Sequence, residues 1–452
     1  KTPQRTHIGL LNELERNARS GIRSAADPRG GAAVIASAPA ATPMDAAIAT
    51  SRAVEVLTIN SGSSSVRFAL YAGAAPPQRR LRGRLQWNGG AASLDVEADD
   101  PQLQSDLNAA AAGIALPALT DAVAAARVLI DWLGAAIDLR RLAAVGHRWV
   151  HGFRHAEPVR IDGALRAELG ALSPLAPEHL PRALALIDAF AERCPSLPQV
   201  ACFDTAFHHA MPAVAQRLPI PRRYADAGLR RFGFHGLSYA YLIEALARLA
   251  GAEVANARVL MAHLGNGASL VALREGRSVD TSMGFSPNSG LMMGTRSGDL
   301  DPGLIAYLAE REGLSCDQLQ RLCSHESGLL GVSGRSADVR ELLALEATDP
   351  HAAEALALFC YQVRKGIGAF AAVLDGIDTL VFAGGIGEHA APIRARICSG
   401  LGFLGIELCV ERNARSAAVI STDRSRVHVR VMRTDEEQMI ARECVRTLQL
   451  SP

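Results

Sequence analysis

Four short stretches put charge where a strand-like run ends or where glycines break the chain. They are 146–152 with His147, Arg148 and His151, 203–208 with Asp204, 231–238 with His235, and 293–299 with Arg296. Such groups handle anions: a guanidinium fork matches carboxylate and phosphate oxygens, and an imidazole can donate to developing negative charge. Taken singly, each stretch has an ordinary structural explanation, because a strand-end Asp caps, an Arg pairs at the surface and a His is satisfied locally. Four together are harder to assign to structure alone. A fifth stretch, 54–71, points to phosphate. Val56 and Thr58, then Val66, Phe68 and Leu70, alternate as half-buried strands do, so Asn60 to Ser65 reads as a tight hairpin tip rich in hydroxyls and backbone N–H donors. Gly62 lets the backbone approach an anion, Asn60 offers a carbonyl oxygen to a metal, and Arg67 supplies charge. A plain Ser/Gly turn has the same composition.

The elements that must position these residues alternate between strand-like and helical. Strand-like runs fall at 54–59, 66–71, 79–87, 143–150, 199–204, 258–264, 269–273, 379–384 and 427–433. Amphipathic Ala/Leu-rich segments at 120–136, 181–193, 238–250, 302–312, 351–375 and 436–449 separate them. That is a mixed α/β chain. The strand–polar tip–strand unit recurs at 258–273, where His263, Leu264, Gly265, Asn266 and Gly267 form the tip, and the recurrence suggests a duplication. Two such hairpins facing a cleft could hold a nucleotide's phosphates from both sides, although an Asn-Gly tip is also a common hairpin turn. A third glycine-rich turn, with Gly384, Gly385, Ile386, Gly387, Glu388 and His389, follows a buried strand and suits a base or ribose. No GxxxxGK[ST] occurs, which closes the P-loop route.

The 452 residues are 49% hydrophobic and 21% charged, as expected of a globular chain with room for two or three domains. A net charge of +1 argues against nucleic acid or an anionic membrane as the main partner. The 8 cysteines form no CxxC or Cys/His cluster and read as reduced core thiols, and no uninterrupted apolar stretch reaches the roughly 18–20 residues that span a bilayer, so the cytoplasm is expected. Residues 1 to 53 are poor in large side chains and are expected to form a disordered tail, with the natural product starting at Met44.

The chain resembles acetate kinase, of the acetate, propionate and butyrate kinase group. The stretches that carry this resemblance are INSGSSSVRF, GHRWVHG, LAPEHLP, FDTAFHHAMP, RRFGFHGLSY, HLGNGAS, DTSMGFSP with GLMMGTRSGDLDP, SGLLGVSG, SADVRE, FAGGIGEH and VISTDRSRVHVRVMRTDEE, in that order along nearly all of the chain beyond the tail. The resemblance implies an α/β fold of two duplicated ribonuclease-H-like (actin-like ATPase) domains flanking a nucleotide cleft. The expected domains are 54–204, joined by a C-terminal helix at 435–450, and 205–434. It also implies a homodimer and reversible phosphoryl transfer from ATP to acetate, giving acetyl phosphate and ADP with Mg2+, or Mn2+, as cofactor. Propionate is the alternative acceptor. A non-catalytic ATP-binding module of this fold would give Arg148 and Arg296 no reason to converge.

Carried over by motif, Arg148 would bind the substrate carboxylate, with Val150, Phe234 and Pro287 walling a methyl pocket. Asp204, His235 and Arg296 would be catalytic. Arg67, the tip from His263 to Gly267, Asp338, Val339 and Arg340, and Gly385 to His389 would contact nucleotide, and Asn60 and Glu436 would hold the metal. A carboxylate acceptor is already ionised at pH 7, so Asp204 is read as orienting another group rather than removing a proton. Glu436 also has a structural reading, since 434–437 looks like a capping box with Glu437 at the box position. Trp149, Arg67, His389 and Glu178 depart from the family pattern. A carboxylate at the methyl pocket would repel acetate, so Glu178→Leu is expected to lower KM for acetate in a steady-state assay. An unchanged KM would remove Glu178 from the pocket.

Overall fold

A computed structural model of the chain describes residues 54–62, 65–73, 76–88, 91–112, 122–177 and 179–450. The expected tail at 1–53, Met44, Ser63, Ser64 and Glu178 lie outside the described residues. Two units are distinguished. The smaller has Leu218–Arg230 as its described part and holds the short helix Arg222–Asp226. The larger, Ala53–Arg217 with Arg231–Pro452, carries both sheets and all the candidate residues.

The first sheet contains β1 (Glu55–Ser61), β2 (Ser65–Ala72), β3 (Gln78–Asn88), β4 (Ala91–Ala98), β5 (Leu142–Trp149), β6 (Val159–Arg160) and β7 (Gln199–Phe203), in the order β4-β3-β2-β1-β5-β7-β6. The second contains β8 (Val259–Leu264), β9 (Ala268–Arg274), β10 (Arg277–Thr281), β11 (Thr379–Ala383) and β12 (His428–Val431), in the order β10-β9-β8-β11-β12. In each, a central strand pairs antiparallel with its hairpin partner on one side and parallel with a later strand on the other. Thus β3-β2-β1-β5-β7 and β10-β9-β8-β11-β12 are the same arrangement built twice, as the recurrence of strand–tip–strand units implied.

One expectation is corrected here. β1 does not alternate between buried and exposed: six of its seven residues are buried. Being central, it is covered on both faces. Leu57 and Ile59 pack with Leu129 and Trp132 of the helix Ala122–Ala136, whereas Val56 packs with Met439, Ile440 and Cys444 of the helix Glu436–Leu448. That last helix lies close on β5, because a Cβ at Gly146 would fall 2.4 Å from Ile440 Cγ2 and 2.5 Å from Cys444 Sγ. The helix Pro350–Val373 is long and apolar enough to cross a membrane, yet it buries Leu356, Phe359, Val363 and Ile367 as a core helix does. Its approach to β9 is equally tight, with a Cβ at Gly366 falling 2.6 Å from Leu270 Cδ1.

Candidate active site

Strand periodicity brings the first group of residues together. Successive side chains of a strand point to opposite faces, so Val56 and Asn60 of β1, Ala144 and Arg148 of β5, and Val200, Cys202 and then Asp204 after β7 share the face covered by the helix Glu436–Leu448. At its strand ends, apolar residues give way to a polar network. Arg148 directs Nε (3.1 Å) and Nη2 (2.6 Å) to Asp204 Oδ2, and its Nη1 donates to Asn60 Oδ1 at 3.1 Å and lies 3.5 Å from Glu436 Oε2. Asn60 Nδ2 donates to Glu436 Oε2 at 2.9 Å and to Glu437 Oε1 at 3.0 Å. Burial pushes the Asp204 carboxyl above its ordinary value against the pull of Arg148. Glu436 is also buried, but Arg148, His263 and the Asn60 amide outweigh that and lower its pKa. Glu437 is raised by burial and by Glu436. The adjacent acids therefore differ, one held ionised and its neighbour drawn toward the neutral form.

The capping-box assignment shifts by one residue. The N-cap of Glu436–Leu448 is Asp435, whose carboxylate accepts from Gln438 N at 2.7 Å, because the Thr434 hydroxyl is engaged by Ser238 at 2.8 Å. Glu437 is thus not at the box position, and both Glu436 and Glu437 are available to Asn60.

The second group centres on the tip of β8–β9. His235 precedes the helix Gly236–Ala250 in a left-handed conformation (φ 60°), a cost that a non-glycine residue bears when its surroundings over-determine it. Its Nδ1 lies 2.8 Å from Ser269 Oγ, which in turn is 2.5 Å from the Tyr239 hydroxyl, and its ring stacks on His263 at 4.3 Å. His263 is anchored in turn by Ser238 at 2.8 Å, and Leu264 is buried in the core. A Cβ at Gly267 would lie 3.2 Å from His235 Nε2 and 3.7 Å from Arg296 Nη1, so glycine keeps the space before both groups open. Burial, then the charges of His263, Arg148 and Arg296, hold His235 well below the usual imidazole range, and its ring is neutral at pH 7.

The Arg296 loop is fixed by its backbone. Gly294 N donates to Asn266 O at 3.1 Å, and a Cβ at Gly294 would sit 2.2 Å from Asn266 Oδ1, so the loop lies directly against the hairpin tip. Gly328 (φ 66°) allows the following helix equally close, since a Cβ there would meet Met293 O at 2.3 Å. Arg296 Nη1 donates to Pro287 O at 3.1 Å.

These groups meet in one cavity of about 290 Å³, lined by Asn60, Arg67, Arg148, Val150, Asp204, Phe234, His235, Asn266, Gly267, Pro287 and Arg296 among others. The two arginines from distant parts of the chain, and all four residues expected to bind the organic acid, are therefore neighbours. Other expected residues stand off. Asp338 caps the helix Val339–Leu345 and pairs with Arg340 at 2.5 Å, and Val339 is buried in the core, although Ala337 O would be 3.4 Å from a Cβ at Gly294. The 384–389 stretch, read as a turn before a helix, is itself the short helix Gly384–His389, which places Gly385 N 3.9 Å from a Cβ at Gly265. Gly384 lies beneath the hairpin backbone, and Ile386 packs at the edge of the core. Gly387 is buried, Glu388 Oε1 accepts from Gly384 N at 3.1 Å, and His389 is exposed. Trp149 points away from the cavity into the core, its indole N–H donating to His151 O at 3.1 Å, so this departure does not reshape the pocket.

Two lining residues were missed. His179 lies in the LAPEHLP stretch beside the more conspicuous Glu178. Burial, followed by Arg296 and Arg148, holds its ring at about 3. Arg84 was invisible because its position depends on the β2–β3 register.

Buried neutral histidines make stability depend on pH. His147 (2.7 Å to Gln199 Oε1) and His208 (Nε2 donating to Phe234 O at 3.0 Å) are both held at about 4 by burial. The unfolded rings titrate near 6.5, so this contribution is complete above that pH and is lost as pH falls through 6.5 toward 4. It amounts to on the order of 3 kcal/mol for each ring. Tm followed from pH 7.5 to 4.5 should therefore fall steadily below 6.5, and a flat profile would contradict two buried neutral rings.

The Acetokinase family matches residues 55–442. Acetate kinase of Rhodopseudomonas palustris (strain ATCC BAA-98 / CGA009) is 45% identical over 390 residues, 86% of this chain and 96% of that protein. Propionate kinase of Citrobacter rodentium (strain ICC168) is 42% identical over 401 residues, 87% and 96% of the two chains. A solved propionate kinase from Francisella tularensis subsp. tularensis SCHU S4 superposes with a TM-score of 0.78 at 35% identity, covering 86% of this chain and 98% of that one. Acetate kinase from Porphyromonas gingivalis gives 0.71 at 32%, covering 87% and 100%. Because the match runs through both sheets and into the last helix at these identities, the chain belongs to the Acetokinase family.

Proposed function

We propose that this protein transfers the γ-phosphoryl group of ATP reversibly to acetate, forming acetyl phosphate and ADP. The observation that carries this reading is the convergence of Arg148 and Arg296 on one cavity with His235. Arg148, held by Asp204, grips the acceptor carboxylate, and Val150, Phe234 and Pro287 wall its methyl group. Asp204 acts by orienting Arg148, as its bidentate contact supports. Arg296 and His235 stabilise the equatorial oxygens of the group in flight. If Tyr239 donates to Ser269, and Ser269 to His235 Nδ1, the neutral ring carries its proton on Nε2, aimed at the space beside Gly267.

Arg67 and the tip from His263 to Gly267 serve the phosphates. Asp338 to Arg340 and Gly385 to His389 serve the rest of the nucleotide, which the approach of the preceding Ala337 O to Gly294 and of Gly385 N to Gly265 supports. Magnesium, or manganese, suits the oxygen donors of Asn60 and Glu436, with Glu437 beside them, because a small hard cation binds through one or two carboxylates and substrate phosphates. Bound there it would offset phosphate charge. The working domains are 54–204 with the last helix, and 205–434. A homodimer is supported by the helix Pro302–Glu312, which has no buried residue and exposes Leu304 and Tyr307. A cytoplasmic setting is supported by eight unpaired cysteines.

Hydroxylamine trapping of acyl phosphate with acetate, propionate and butyrate tests the reaction. Acetate should give the highest kcat/KM, whereas carboxylate-independent ATP hydrolysis would overturn the proposal. Propionate is the second reading, favoured by the likeness to propionate kinases.

A further inference from the structure

β2 and β3 pair antiparallel with Arg67 directly opposite Arg84, so both guanidinium groups leave the same face of the sheet. Both are exposed, and neither makes a hydrogen bond or ion pair among the described residues. The contrast with Arg82, two residues earlier on the same face, is informative. Its neighbour across β4 is Glu97, which accepts from Arg82 Nε at 2.8 Å and Nη2 at 2.5 Å. The neighbour of Arg84 is Asp95, one methylene shorter, and no ion pair forms. The backbone at this point is held from beneath: a Cβ at Gly83 would fall 2.2 Å from Phe68 Cζ, and Phe68 packs on Trp132 at 5.4 Å. Arg84 therefore stands on a fixed strand, facing a like charge across the ladder, and lines the cavity that holds Arg148, His235 and Arg296. Like charges directly opposite are unfavourable, and a polyanion between them reverses the sign, since each guanidinium fork matches two phosphate oxygens.

We propose that Arg84 is a phosphate-binding residue of the cleft, gripping the nucleotide's polyphosphate together with Arg67. This rests on the kinase reading above, in which Arg67 faces the nucleotide. Arg84→Ala is expected to raise KM for ATP about tenfold while KM for acetate stays within twofold, and Arg84→Lys should recover part of the loss. The rise in Tm that ATP induces should shrink in Arg84→Ala, and Tm without nucleotide should not fall, because a repulsion has been removed. A KM for ATP within twofold of the parent, a parallel rise in both KM values, or a lowered nucleotide-free Tm that Asp95→Ala reproduces would each overturn the assignment. If the parent protein forms no acyl phosphate, the kinase reading fails separately, and the ATP-induced Tm shift of parent and variant still decides on Arg84.

Discussion

Arg296→Ala is expected to lower kcat for acyl phosphate formation by about 10³-fold, with KM for acetate altered only severalfold. In phosphoryl transfer, negative charge spreads over three equatorial oxygens, so an arginine aimed at them acts more in the transition state than on bound substrate, and its loss appears in kcat. The surroundings favour that role over a structural one. The loop is held by main-chain contacts that alanine keeps, including Met293 N to Arg296 O at 3.0 Å and Gly294 N to Asn266 O at 3.1 Å. The donation from Nη1 to Pro287 O at 3.1 Å and the weaker contact with Met293 Sδ at 3.8 Å disappear with the side chain. Tm should change little. Arg296→Lys keeps a charge but not the fork, and should fall between the two. A hydroxamate assay at saturating ATP and acetate decides: more than a tenth of parental kcat in Arg296→Ala would remove it from the transition state.

The site was most legible where its residues stand at strand ends. Asn60, Arg148 and Asp204 each follow a run of apolar residues, and the two-residue period already aims them to one face once three adjacent strands are assumed. The repeated hairpin units likewise announced a duplicated α/β arrangement. What stayed hidden depends on contacts between distant segments. Asn60 and Glu436 are 376 positions apart, and nothing near Glu436 distinguishes a cleft carboxylate from a helix-opening one until Thr434 is seen bonded to Ser238. The Arg67–Arg84 pair is a fact of register, which no local pattern states. β4 escaped notice because its alternation of Leu94 and Val96 with Ser93, Asp95 and Glu97 is short and flanked by small residues. Burial on both faces of β1 leaves no alternation between buried and exposed positions along that strand.

Asp204→Ala should affect both stability and catalysis, because it leaves Arg148 in place without its main partner. Arg148 is 18% exposed and the Asp204 side chain wholly buried, so their contact is largely shielded from water. Removing one member of a buried pair costs about 3–5 kcal/mol, most of it the penalty of the charge left behind. Asn60 Oδ1 and Glu436 still face Arg148, which places the expected loss at the lower end, about 3 kcal/mol. With the guanidinium drawn toward Glu436, kcat/KM for acetate should fall by at least about 10²-fold through misplacement of the acceptor clamp. Asp204→Asn, which can still accept at Oδ1, should lose less stability than Asp204→Ala while recovering little activity. The double variant Arg148→Leu with Asp204→Leu separates the two effects. It removes both charges and should regain part of the stability but none of the activity, and the recovery is partial because Glu436 relies on Arg148 to offset its own burial. Denaturant unfolding of the parent, Arg148→Leu, Asp204→Leu and the double supplies the coupling energy. If the single losses simply add, Asp204 and Arg148 do not act as one unit, and the role of Asp204 as the residue that orients the clamp fails.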